Sequence, residues 1–406
     1  TLKGFFEETA RQAEGNRWVG ELYLAWHRGT WTTQVETKQL IANVERLLHD
    51  AEALVALMPA SERKTYMPTI EKAWDVLMFC QFHDVAGGVG LRRVHQEAEA
   101  SLAAQVHALE ALIERLPKAE AKWVEPLKDE VSITETAEGF LMENSILRVT
   151  VDRQGAITSI FDKRNGVPLM NPGQKMNDWR LYENIEVVYD GWEMSRDWKK
   201  RRLDTDLHAR CEIRATREGE PFLAVTYALG ESKVEMSLWL RGDRVEVESE
   251  VDWHERRKLL KVHFESNVLC DDALHEIQFG YVERPTHRSR RYDQDRYEVC
   301  NHRYTALTDQ GHGCAGLNDC KDGVSAEGSA ISLTLLRAAA APEMQADNGV
   351  QHFTYAFEAW EGAFRDAPVV RDGLRLNYPV ATADGTAPMA SLFNVNAGNV
   401  ILDTVK

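Results

Sequence analysis

The sequence predicts an α+β multidomain fold, a three-helix bundle followed by a large antiparallel β-sandwich. Two patterns carry that prediction. From Thr33 to Leu116 apolar residues recur at spacings of three and four, the period of an amphipathic helix. From about residue 129 the period drops to two, with turn residues between the runs and no helical stretch separating them. The length of 406 residues exceeds what one hydrophobic core comfortably organises, so two or three domains are expected.

Residues 1–32 are mixed. Phe5-Phe6-Glu7-Glu8 opens a short helical pattern, and Trp18 to Trp26 is aromatic and apolar enough for a buried strand or buried extended segment. His27-Arg28-Gly29-Thr30 breaks that run, and Thr32 or Thr33 can cap the next helix. Ile41, Val44, Leu48, Ala51, Val55 and Met58 then line one helix face. Pro59 and Pro68 bracket a connector, with Pro68 suited to the first turn of a second helix carrying Ile70, Trp74, Leu77 and Met78. That helix ends at Cys80-Gln81-Phe82-His83-Asp84, and Gly87-Gly88 stops it. A third helix runs from Leu91 to Leu116, its stripe made of Leu91, Val94, Ala98, Leu102, Val106, Leu109, Ile113 and Leu116. The expected domains are 1–32 as a joining segment, 33–120 as the bundle and 129–406 as the sandwich, with a linker at Pro126.

In the second half Leu207, Ala209, Cys211, Ile213 and Ala215 alternate with polar residues as a half-buried antiparallel strand would. Val234, Met236, Leu238 and Leu240 repeat the pattern. Gly242-Asp243 turns the chain, and Val245, Val247, Ser249 and Val251 return it as a hairpin. Trp74 and Trp253 read as core aromatics, and Arg284 and His287 as polar groups at a strand end beside Pro285.

The net charge of −16 argues against binding to a nucleic-acid backbone or an anionic membrane surface. Six cysteines without a C-x-x-C pair suit reduced thiols in a cytoplasmic protein. Gly-rich phosphate loops, G-x-S-x-G elbows and H-E-x-x-H helices are all missing, which removes the signatures of nucleotide enzymes, serine hydrolases and thermolysin-like proteases. The adjacent His83 and Asp84 could offer a metal one imidazole and one carboxylate, but zinc takes four ligands. Read alone, the pair is as readily a helix-end surface feature, its imidazole favoured by the helix dipole. With 64 acidic residues in the chain, finding carboxylates proves nothing about sugar chemistry.

The run Gly20-Glu21-Leu22-Tyr23-Leu24-Ala25-Trp26-His27-Arg28-Gly29-Thr30-Trp31-Thr32-Thr33-Gln34 and the tetrad Gln81-Phe82-His83-Asp84 resemble segments of one enzyme family. So do Val251-Asp252-Trp253-His254-Glu255, Tyr281-Val282-Glu283-Arg284-Pro285-Thr286-His287 and Leu317-Asn318-Asp319-Cys320-Lys321. Order and spacing agree over nearly the whole chain with the α-mannosidases of glycoside hydrolase family 38, most of all with the cytosolic-type and bacterial branch. The resemblance implies a catalytic α/β domain, then the bundle, then a sandwich of the galactose-mutarotase-like supersandwich type. It also implies a retaining, zinc-dependent enzyme that removes terminal α-mannosides from a mannose-containing oligosaccharide. His83 would be one zinc ligand, the others being a His and two Asp of the catalytic domain. Asp84 would contact sugar hydroxyls, with Trp26, His27, Arg28 and Glu21 beside the sugar pocket and Asn318 and Lys321 facing the cleft.

Only about nineteen residues precede Gly20, too few for the domain that holds the family's nucleophile. The chain also stops at Val405-Lys406, ahead of a final strand-rich segment usual in the family. The expectation is therefore a middle and C-terminal portion with no catalytic residue of its own, no turnover alone, weak zinc retention, and the absent catalytic domain as its partner. Self-association into a homo-oligomer is left open. The alternative is a carbohydrate-binding or scaffold module without hydrolytic activity. Ala25 stands where the family often has Glu, and Asp322 where it often has Tyr, so cleft contacts differ at both places.

Overall fold

The computed structural model describes residues 1–13, 15, 17–18, 20–22, 26–116, 130–185, 189–205, 208–309 and 311–378. The linker expected around Pro126, and the expectations resting on Ala25, Leu207 and the chain end at Val405-Lys406, lie outside these residues. Helix α1 (Leu2–Gln12) starts where the Thr1 hydroxyl accepts the Gly4 amide, and its Phe5 and Phe6 are exposed. The bundle is built by α2 (Val35–Ala56), a single turn α3 (Ala60–Arg63), α4 (Met67–Cys80), a second single turn α5 (His83–Ala86) and α6 (Arg92–Arg115). Val44, Leu48, Ala51, Val55, Ile70, Leu77, Leu102 and Leu109 meet in its core, as the helical period requires. Pro68 sits in the first turn of α4, where its missing N–H is no loss.

Four expectations about this half are corrected. Trp18 to Trp26 forms no strand among its described residues; Trp18, Leu22 and Trp26 are exposed, Trp18 meeting the Tyr292 ring edge-on at 5.4 Å between centroids. Neither Thr32 nor Thr33 caps α2. Gln34 is the N-cap, held at φ 59°, and the carboxylate of Asp347 accepts the Gln34 and Val35 amides at 2.9 and 2.6 Å. A carboxylate from the sandwich thus fills the anion-seeking end of the first bundle helix. Trp74 lies at the bundle surface with its indole N–H donating to Glu52. The α6 stripe also starts later than expected. Leu91 and Val94 are exposed, and His95 is buried in their stead between the Thr37 hydroxyl and the Gly90 amide. Burial pushes the His95 imidazole down to about 4, so it is neutral at physiological pH.

Two antiparallel sheets form the second half. The ten-stranded sheet runs in the order Ser132–Glu135, Gly139–Glu143, Leu147–Asp152, Ile157–Asp162, Met176–Glu183, Lys258–Glu265, Ala330–Leu336, Gly323–Glu327 and Val299–Cys300, with Val167–Pro168 paired beside Ile157–Asp162. The nine-stranded sheet runs Gly280–Pro285, Asp272–Ile277, Tyr304–Thr308, His312–Asn318, Gly349–Glu361, Arg244–Trp253, Ser232–Arg241, Pro221–Leu229 and Arg210–Ala215. Inward residues from both sheets, among them Val149, Ile160, Leu238, Trp253, Val262, Leu333 and Phe357, share one core. The hairpin expected at Gly242 is present, the glycine taking φ 62°. The strand expected to be half-buried is an edge. Among the described residues Arg210–Ala215 pairs only with Pro221–Leu229, and Ile213 is exposed. Helix α7 (Val369–Asn377) packs on the outer face of the nine-stranded sheet through Val369. Among the described residues no helix is long and apolar enough to cross a membrane, and all six cysteines are unpaired.

Candidate functional site

The expected site residues gather where the bundle meets the sandwich. Helix α4 stops at Gln81, Phe82 turns the backbone with ψ 136°, and α5 makes one turn before Gly87. Gly88 has φ +75°, and a Cβ there would lie 2.4 Å from the Thr33 carbonyl oxygen, so only glycine lets this turn rest on the start of α2. Lys38 fastens the same junction from below. Its ammonium donates to the Thr33 carbonyl at 2.5 Å and to the Ala86 carbonyl at 2.8 Å. Burial lowers the Lys38 ammonium to about 8, while Asp322 and Asp347 act in the opposite direction.

On this support the His83 side chain is 80% exposed and its Nε2 lies 3.5 Å from Asp84 Oδ1. The ring rests on Phe82 at 4.3 Å between centroids. Met78, Phe79 and Leu91, close to it in sequence, are exposed, as is Phe82 itself. Among the described residues no three His, Cys, Asp or Glu side chains come together to hold a metal. The pair fits part of a zinc site: a solvent-facing imidazole beside a carboxylate provides up to two of the four donors zinc takes.

The other expected residues divide into those at a surface and those used to hold the chain. Trp26 is 68% exposed. The His27 backbone sits at φ 68° and its amide donates to Glu193 at 3.0 Å. Arg28 is buried, donating to the Asp295 and Trp26 carbonyls, with its guanidinium against Trp31 and Tyr297. It anchors the segment to the sandwich. Glu21 accepts both arms of Arg284 at 2.8 Å, and Arg284 also donates to the Cys300 carbonyl. Arg284 stands at the strand end, as expected, and is half of a largely buried bidentate pair that ties the N-terminal segment to the sandwich.

Asn318 lines the groove between the two halves, its amide donating to the His302 carbonyl and its Oδ1 accepting the Lys321 amide. Lys321 does not face the cleft. It is 1% exposed, and its ammonium lies 4.4 Å from the Phe353 ring centre with no hydrogen-bond acceptor among the described residues. The groove itself encloses about 720 Å³. Its walls include Glu45 from α2, Gln81 and Ala86 on either side of His83-Asp84, and Gln278, Phe279, His302 and Asp322 from the sandwich. Burial raises the carboxyls of Glu45 and Asp322. Of these only Gln81, two residues before His83, and Asp322, where the family often has Tyr, carried a sequence signal. Glu45, Gln278 and His302 lie far apart in the chain, and only the packing of α2 on the sandwich brings them together.

Comparison with known proteins agrees with this architecture. Residues 142–345 match the model of the glycosyl hydrolases family 38 C-terminal domain, and residues 25–119 that of the alpha mannosidase middle domain. Alpha-mannosidase 2C1 from Homo sapiens is 31% identical over 96% of this chain and 44% of its own length. An alpha-mannosidase from Saccharomyces cerevisiae is 30% identical over 93% of this chain and 39% of its own. Among solved structures, an alpha-mannosidase from Enterococcus faecalis V583 shares the fold with a TM-score of 0.72, at 12% identity over 93% of this chain and 61% of that one. The chain belongs to glycoside hydrolase family 38. It spans less than half the length of these curated relatives.

Proposed function

We propose that this chain is the middle and C-terminal portion of a retaining, zinc-dependent, exo-acting α-mannosidase, divided at 33–120 and 129–406, that removes terminal α-mannosides. The observation that carries this reading is the solvent-facing His83-Asp84 pair, held on a locked turn with uncovered apolar side chains close to it in sequence. A histidine built only for stability has little reason to stand there. In the assembled enzyme His83 supplies one nitrogen to zinc, and Asp84 accepts hydrogen bonds from the sugar. When bound, the ion would polarise vicinal hydroxyls of the terminal mannose and favour an oxocarbenium-like ring. The exposed Phe79, Phe82 and Trp26 would be covered by the domain that brings the remaining ligands, the nucleophile and the acid/base carboxylate. The six unpaired cysteines support a cytoplasmic setting.

The test compares two proteins. The 406-residue chain is expected to show no hydrolysis of an aryl α-mannoside and little bound zinc by elemental analysis. The full-length protein is expected to be active, and His83→Ala there to lower zinc affinity by more than about a hundredfold, beyond what loss of an outer-sphere partner causes. Turnover by the short chain, or a full-length His83→Ala protein that keeps its metal and activity, would refute the reading.

A further inference from the structure

We infer that the slot where the ten-stranded sheet parts is a binding site for a small hydroxycarboxylate, a molecule with one carboxylate and several hydroxyls. The slot lies in the sandwich and shares no lining residue with the groove beside His83.

The backbone makes the opening. Ile157–Asp162 and Met176–Glu183 are neighbours in the sheet, yet only Ile157 and Met176 pair between them. Next to that contact Asn177 is the extra residue of a bulge, skipped in the register with His263 and Phe264 and held at φ 52°. Bulges re-aim the side chains beside them and recur next to active sites. The parting is braced rather than frayed. The buried Asn177 amide donates to the Gly155 carbonyl at 2.8 Å, and its Oδ1 accepts the Tyr355 hydroxyl. The space left is about 260 Å³, lined from the nine-stranded sheet by Tyr227 and Met236. That volume falls just below the roughly 300–1,000 Å³ of sites for drug-sized ligands, which leaves room for a small metabolite and none for a polymer segment.

The side chains left without partners set the chemistry. Tyr227 is 5% exposed, and its hydroxyl has no hydrogen-bond partner among the described residues. An orphaned buried hydroxyl costs stability, so its presence calls for something that bonds it. Burial holds this phenol well above its usual range, so it keeps a proton to donate. The charges on the walls are unevenly matched. Asp178 accepts from Arg180 at 2.6 Å and Lys175 donates to Asp152 at 2.8 Å, whereas the Arg202 guanidinium meets no acceptor among the described residues. Gln154 spends its Oε1 on the Ala209 amide, which leaves its NH2 group to donate. The acids are engaged, and the surplus is one cation with neutral donors in the same slot. A carboxylate matches a guanidinium, and hydroxyls match a phenol and an amide. A neutral sugar would leave Arg202 unmatched, and a cation would be repelled by it.

Isothermal titration of the metal-free 406-residue chain with gluconate tests this directly, with sorbitol and inorganic phosphate as comparators. Sorbitol keeps the hydroxylated body without the charge, and phosphate keeps the charge without the body. Gluconate is expected to bind with a Kd of about 1 mM or below, and at least about tenfold more tightly than either comparator. Arg202→Gln should weaken it by about tenfold and Tyr227→Phe by about fivefold, while Lys72→Gln, which alters an exposed cation on α4, should leave it unchanged. Thermal melts without gluconate separate binding from folding. Tyr227→Phe should melt at or above the temperature of the parent chain, since its hydroxyl gives up no hydrogen bond. No gluconate binding by the parent chain, equal binding of sorbitol or phosphate, or parental affinity in Tyr227→Phe would overturn the inference. A Tyr227→Phe chain that melts well below the parent would overturn it too, because the hydroxyl would then serve the fold. Hydrolase activity plays no part in these measurements, so this site and the reading of His83 fail separately.

Discussion

The buried part of the junction between bundle and sandwich and the solvent-facing turn at His83 beside it are built from opposite materials. At the junction charge is buried and matched. Asp347 caps α2, Lys38 spans two carbonyls, and Glu21 grips Arg284. Deeper in the sandwich, Lys261 and Glu298 form an ion pair at 2.7 Å with both side chains wholly buried. At the turn the reverse holds: Met78, Phe79, Phe82 and Leu91, neighbours in sequence of an exposed histidine and carboxylate, face solvent. Polar groups inside and apolar groups outside are each costly for a chain that only needs to fold. The first ties the bundle to the sandwich; the second leaves an apolar surface uncovered among the described residues.

That contrast breaks most visibly at Glu298. Lys261 donates to it and to Thr334, and burial drags the Lys261 ammonium down to about 8 despite the adjacent carboxylate. Glu298→Ala strands a buried cation and is expected to cost about 3–5 kcal/mol in denaturant unfolding. Replacing the group together, Lys261→Met with Glu298→Leu and Thr334→Val, should recover most of that loss, because the Thr334 hydroxyl that bonds both charges goes with them. A loss below about 1 kcal/mol in the single variant would mean that the pair is not the rigid element described here.

The sequence made the bundle and the strand periodicity legible because both are local: spacings of three, four and two are set by backbone geometry alone. The exposure of His83 was also anticipated, since a glycine pair after an apolar helix forces a turn. What failed was non-local. No local pattern foretells that Asp347, more than three hundred residues away, replaces Thr33 as the cap of α2. Arg284 is at a strand end as read, but its pairing with Glu21 was not foreseen because Glu21 belongs to a different region. Trp18 to Trp26 read as buried because hydrophobicity reports what a segment prefers and says nothing of whether the described chain covers it. The groove was invisible for the same reason as the cap.

A second comparison, between paired and unpaired buried acids, gives a pH prediction of intermediate size. Glu358 lies on the strand Gly349–Glu361 with neither carboxylate oxygen hydrogen-bonded among the described residues. Burial, then Asp372 and Asp243, raise it from 4.5 to about 8, against the pull of Arg244 and Arg371. A carboxyl raised on folding binds its proton more tightly in the folded state. Its contribution is therefore full below pH 4.5 and declines as pH rises toward 8, so this group makes the protein less stable at pH 8 than at pH 5. Glu358→Gln should remove that part of the slope and raise stability at pH 8. Parallel urea titrations at the two pH values check it, and identical slopes in both proteins would show that Glu358 ionises normally.

The smallest expected effect sharpens the first comparison. Phe79 is 78% exposed at the last turn of α4, so Phe79→Ser in this chain should change unfolding free energy by less than about 0.5 kcal/mol, as for a surface site without partners. In the full-length protein the same substitution should be felt, since the ring would lie in an interface and its removal would both loosen the docked domain and lower zinc retention. Trp26→Ala should behave alike, because its ring is also bare while the neighbouring Arg28 is anchored. A large loss in the short chain would mean that these rings already support the fold and await nothing. A null result in both proteins would mean that the exposed apolar side chains near His83 in sequence are not where another domain sits, and the distinction between a surface matched by charge and one left for docking would go with it.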